Sequence, residues 1–121
     1  MLPAIDPSEQ LIVEVFVRDL NRSKEFYQRI GFTLVEDRGA FVELSWGGHR
    51  LFLDHKPDLP TARETRVNLR IMVDDVDECW RRAQEVGAPV FGAIGDRADG
   101  LRDFIILDPD GFGLRFAAPV R

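Results

Sequence analysis

The sequence predicts an α+β protein built from two copies of one β–α–β–β–β module. Three observations predict it. The order strand, helix, three strands is written twice along 121 residues. A constant shift of 56 residues relates the first strand and helix of the two copies, carrying Val17 onto Val73, Asp19 onto Asp75 and Gly31 onto Gly87. Those shared residues are the punctuation of the module: strand end, helix cap and helix stop. Self-similarity at a fixed spacing is stronger evidence of fold than any single propensity.

Each element follows from its residues. "LIVEVFV", residues 11–17, is β-branched and aromatic and reads as a buried strand. In "RDLNRSKEFYQRIG", Leu20, Phe26, Tyr27 and Ile30 recur at helical spacing, with Asp19 or Asn21 as cap and Gly31 as stop. Short strands are expected near 32–36, 40–46 and 50–55, separated by the turn signals Arg38-Gly39 and Gly47-Gly48. "KPDLPTARETR", residues 56–66, has two prolines, many charges and no apolar pattern, and reads as a linker. "VNLRIMV" restarts the order as a strand, and "DDVDECWRRAQEVG" is a helix capped by Asp75 or Asp77 and stopped by Gly87. "APVFGAIG", "LRDFIILD" and "FGLRFAA" are three more strands. Module one is thus expected at about 11–55 and module two at about 67–118, within a single domain of residues 1–121.

Composition narrows the function classes. A net charge of −5 and no basic stripe argue against nucleic acid as a partner. No apolar run is long enough to span a bilayer, so no membrane partner is expected. The N-terminal "MLPAIDPSEQ" has neither a basic start nor an apolar run, and Cys79 is the only cysteine, which excludes an intrachain disulfide. A cytoplasmic protein is expected. No phosphate-binding or dinucleotide motif is present, since "GFG" at 111–113 opens no helix. His49 and His55 flank a short strand and read as solvated loop ends, Ser23 and Ser45 have no evident base, and Cys79 reads as packing on the second helix.

Three motifs together carry a family resemblance. "VFVRDLNRSKEFYQRIGF" resembles the opening of the vicinal oxygen chelate superfamily, which includes glyoxalase I, extradiol dioxygenases and bleomycin resistance proteins. "VDDVDECWRRAQEVGAPV" is similar to the start of its second module, and "DPDGFGLRF" to its closing turn and last strand. The resemblance implies the glyoxalase/bleomycin resistance-type fold, in which paired modules curl a mixed sheet into an open cup. It also implies a divalent metal in the catalytic members, held by four side chains from four strands. Carried over one at a time, those ligand positions fall on Ile12, on Asn68, near Phe52 and on Arg115. Hydrocarbon side chains cannot coordinate, Asn68 offers one carbonyl oxygen, and a guanidinium repels a cation. The expectation is therefore no metal and no cofactor.

Strand alternation extends the lining of the cup. Ile12 brings Glu14 and Phe16, Phe52 brings Arg50, and Asn68 brings Arg70 and Met72. Trp46 and Phe104 are added as aromatic candidates. Glu14 is the expected mate of Arg70 or Arg115, and one acid for several bases leaves room for an anionic or polar ligand. The bland alternatives are a collapsed interior in which Arg115 pairs with Glu14, or charges on the outer rim. The ligand-binding set is then Glu14, Phe16, Trp46, Arg50, Phe52, Asn68, Arg70, Phe104 and Arg115, with no catalytic residue. By resemblance to the metal-free bleomycin-resistance-type members, the expected function is binding of an aromatic or polar small molecule by a homodimer, as in drug sequestration and antibiotic resistance. The N-terminal arm is a candidate for exchange between protomers. Two enzyme readings stand beside it: a divalent-metal-dependent lyase, isomerase or dioxygenase of the same superfamily, and metal-free acid–base chemistry with Glu14 as base.

Overall fold

The computed structural model of the chain describes residues 10–60 and 67–121. The expected N-terminal arm, except Gln10, and most of the expected linker (61–66) lie outside the described residues. The chain divides between Leu59 and Pro60 into two compact units, each built as strand, helix and three strands.

The first unit contains β1 (Val13–Val17), α1 (Leu20–Ile30), β2 (Thr33–Asp37), β3 (Phe41–Trp46) and β4 (His49–His55). Asp19, not Asn21, caps α1: its side chain accepts the N–H of Arg22 at 3.1 Å. Gly31 ends the helix at φ 127°, a conformation closed to most side chains. The next residue, Phe32, was expected to start a strand. Its N–H instead donates to the Tyr27 carbonyl at 2.9 Å, and its ring meets the Tyr27 ring edge-on at 5.4 Å. The helix stop is thus locked by an apolar contact. The sheet order is β1-β4-β3-β2, with β1 parallel to β4 and the other pairs antiparallel. Val15, Val17, Val42, Leu44, Leu51 and Leu53 are buried on the side that meets Leu20, Phe26, Tyr27 and Ile30 of the helix.

The second unit repeats this plan with β5 (Asn68–Met72), α2 (Val76–Val86), β6 (Val90–Asp96), β7 (Leu101–Leu107) and β8 (Gly113–Pro119). Asp75, rather than Asp77, is the cap, accepting the N–H of Glu78 at 3.1 Å, and Gly87 closes the helix at φ 76°. The sheet order β5-β8-β7-β6 reproduces the first sheet strand for strand. Ile71, Phe104, Ile106, Leu114 and Phe116 form its helix-side core with Val76 and Ala83. In the "DPDG" turn the Asp108 carboxylate accepts the N–H groups of Asp110 and Phe112, both at 2.8 Å, and Gly111 takes φ 89°. That acid is a buried turn-former, not a chemical group in waiting. No helix among the described residues is long and apolar enough to cross a membrane.

Candidate ligand-binding faces

Each sheet has a second face, turned away from its helix, and the strand period assigns residues to it. In the first unit Glu14 lies opposite Phe52, and Phe52 opposite Glu43. One step along, Phe16 lies opposite Asp54, and Asp54 opposite Phe41. The Phe41 and Phe52 rings pack edge-on with centroids 4.8 Å apart. Arg50 donates to Glu43 at 3.3 Å, while Lys56 reaches Asp54 at 3.6 Å and sits 5.6 Å above the Phe16 ring. This face therefore combines an aromatic pair, two ion pairs and one exposed acid, Glu14.

Trp46 does not join them. Alternation from Glu43 puts it with Val42 and Leu44 on the helix side, where its ring packs 5.1 Å from Phe32. His55, expected as a solvated strand end, has its Nε2 3.1 Å from the Arg18 carbonyl oxygen and ties β4 to the end of β1.

In the second unit Arg70 lies directly opposite Arg115 across the parallel β5–β8 pair, and Asn68 lies opposite Gly113. Arg115 in turn faces Ile105 across β7–β8. The acid that partners Arg115 is Asp103, on the neighbouring strand of its own module, rather than the expected Glu14. Asp103 is 5% exposed and accepts Nε of Arg115 at 2.7 Å and Nε of Arg97 at 2.7 Å, one on each oxygen. Arg115 Nη2 also reaches Asp99 at 3.3 Å. Burial by itself would raise the Asp103 pKa; the hydrogen bonds from Arg97 and Arg115 outweigh it and hold the carboxyl below the usual carboxylate range. Arg97 lies against Gly95, where a Cβ would stand 3.4 Å from its guanidinium.

Phe104 is also excluded from this face. It is fully buried on the helix side, stacked on Phe116 at 5.2 Å and packed on Trp80 at 5.1 Å. Sequence reasoning missed Asp103 altogether. The available signal was an acid immediately before the apolar "FIIL" run of the same strand, at odd spacing from Phe104 and even spacing from the Ile105 that faces Arg115.

A hollow of about 610 Å³ lies at the N-terminal end of α2, lined by Asp74, Asp75, Asp77, Asp96, Arg102 and Arg121 among others. Its charges answer one another. Arg102 donates to Asp77 at 2.8 Å and to Asp96 at 3.2 Å, and Arg121 donates to the Asp74 carbonyl at 3.3 Å. The hydrogen bond from Arg102 draws Asp77 below its ordinary pKa. These pairs fasten α2 to the sheet.

Residues 10–116 match the Glyoxalase family, described as the glyoxalase/bleomycin resistance protein/dioxygenase superfamily. The chain belongs to that superfamily. Solved structures with the same fold include a bleomycin resistance determinant encoded on the transposon Tn5 (TM-score 0.76, 23% identity, 93% of this chain and 99% of that one). A bleomycin-binding protein complexed with bleomycin is also similar (TM-score 0.74, 23% identity, 93% and 99%). So is TioX from Micromonospora sp. ML1 (TM-score 0.76, 22% identity, 91% and 98%). No curated protein matches. The metal that the superfamily implies does not fit the donor set at its positions. Phe52 is engaged in a ring pair with Phe41, Ile12 has no donor atom, and Arg115 brings a cation already bound to Asp103. Among the described residues no group of three or more His, Cys, Asp or Glu side chains is placed to hold a metal ion.

Proposed function

We propose that this superfamily member is a metal-free binder of a small organic molecule, acting by sequestration rather than by chemistry. The observation that carries the reading is the Arg115–Asp103 pair, which puts a compensated cation where a metal-dependent relative would need a ligand. On the non-helix face of the first module the contacts we propose are Glu14, Phe16, Arg50 and Phe52, which mix rings with a few placed polar groups, as small-molecule sites do. On the non-helix face of the second module, taken by itself, they are Asn68, Arg70 and Arg115. One structural neighbour is a bleomycin-binding protein complexed with bleomycin, which supports drug sequestration, and hence antibiotic resistance, as the biological role. We place the protein in the cytoplasm as a homodimer. The edge strands β2 and β6 expose Leu34, Val35, Val90 and Phe91, apolar area of the kind that association covers.

The test is thermal denaturation of the full chain with a bleomycin-type glycopeptide, after chelator treatment and elemental analysis. The melting temperature is expected to climb with ligand, equivalent to about 2.7 kcal/mol at a hundred times Kd. One tightly held transition metal per chain, or metal-dependent turnover of hemithioacetals or catechols, overturns the proposal.

A further inference from the structure

The non-helix face of the second module carries a surplus of positive charge that its described ion pairs do not resolve. Arg70, Arg97 and Arg115 bring three guanidinium groups to the non-helix side of β5–β8–β7 and the adjoining turn, against the carboxylates of Asp99 and Asp103. Arg97 and Arg115 share Asp103, and Arg115 also takes Asp99. The uncompensated charge is that of Arg70, which is exposed and makes no ion pair or hydrogen bond among the described residues. Yet Arg70 stands in direct register with Arg115. Like charges set directly opposite on neighbouring strands repel. With a net charge of −5, this protein has no general basic surface to which the pair belongs.

Beside these charged groups the same face carries apolar side chains. Met72, 45% exposed, follows Arg70 on the same face, and Ile105 and Leu107 flank Arg115 on β7. Arg115 is positioned before any ligand arrives. Its described hydrogen bonds use Nε and Nη2 and leave Nη1, so little side-chain entropy remains to be lost.

We infer that Arg70 and Arg115 form a subsite for the carboxylate of an apolar organic monoanion, with Arg70 as the principal fork and Met72, Ile105 and Leu107 against the hydrocarbon body. A single carboxylate matches the single surplus charge, and guanidinium presents paired N–H donors at the spacing of its two oxygens. This rests on the reading of the protein as a small-molecule binder and names the ligand class at that site.

Titration calorimetry of the full chain with benzoate, benzamide, benzylamine and a bleomycin-type glycopeptide tests it. Benzoate is expected to bind and its neutral and cationic isosteres to bind at least tenfold more weakly. Arg70→Gln should weaken benzoate about tenfold to a hundredfold, the range for a hydrogen bond to a charged group. Arg70→Lys, which keeps the charge and loses the fork, should lose less. Arg70 is exposed, so both variants are expected to fold, and unchanged melting temperatures check this. Equal binding of benzamide, preference for benzylamine, or an Arg70→Gln chain that binds benzoate normally overturns the carboxylate subsite. If the glycopeptide binds and benzoate does not, the subsite falls and the binding function stands. If none of the four binds, both fall.

Discussion

The two modules share a frame and differ on one face. Register makes Glu14 and Phe52 the counterparts of Arg70 and Arg115, since each pair sits at the same step of a parallel first-to-last strand ladder. On the helix side the counterparts are interchangeable hydrocarbon: Val17 for Val73, Leu51 for Leu114, Leu53 for Phe116. On the other side an acid beside a ring in module one becomes two arginines in module two. Burial against a helix tolerates any apolar side chain of suitable volume. The opposite face is free of that demand, so its chemistry has diverged in sign.

The sharpest way to break this comparison is to truncate one ring on each kind of face. Phe104→Ala removes a fully buried ring that touches Trp80 and Phe116, and is expected to destabilise by about 3–5 kcal/mol. Phe52→Ala removes a half-buried ring whose described ring partner is Phe41, and should cost only about 1 kcal/mol. Denaturant midpoints of the two variants decide it. Equal losses mean that the face away from the helix in module one is core after all.

A smaller effect separates the modules by pH. Asp103 has a pKa lowered from 3.8 in the folded chain, so its contribution to stability is complete above about that pH and is lost as pH falls through the folded value. Asp103→Asn cannot titrate. At neutral pH it should cost about 1–2 kcal/mol, moderated because the Arg97 and Arg115 side chains are 43% and 22% exposed. Below pH 3.8 the gap between variant and parent should narrow. A gap that stays constant down to pH 2 means that Asp103 stabilises by packing rather than by charge.

What was legible in the sequence was local. Caps and glycine stops are decided within one turn, so Gly31 and Gly87 could be read directly and each cap narrowed to two residues, of which the structure selects Asp19 and Asp75. Alternation carried Glu14, Phe16, Arg50, Phe52, Arg70 and Arg115 to the non-helix sides of their sheets, because a strand's period is fixed by its backbone. Trp46 and Phe104 were chosen by ring chemistry instead of alternation, and both lie with the helix. Asp103 escaped because its partnership with Arg115 depends on the hairpin register of β7 and β8, which places residues 12 apart on neighbouring strands. Partner choice across a turn is not written in either strand alone.

The smallest predicted difference tests the shared frame itself. Asp19 and Asp75 perform the same act, each accepting an N–H three residues on at 3.1 Å. Replacing either by Ala should cost about 1 kcal/mol. The two helices are not quite matched, however. The first turn of α2 holds Asp77 and Glu78, whereas that of α1 holds no acid. Carboxylates near a helix N-terminus favour the positive end of its dipole. Part of the lost stabilisation therefore survives in α2, and Asp75→Ala should be milder than Asp19→Ala by a few tenths of a kcal/mol. High salt screens that residual attraction, so the two costs should converge as ionic strength rises. Persistent inequality at high salt assigns the difference to Asp75's place beside the Arg102 pairs rather than to the helix dipole.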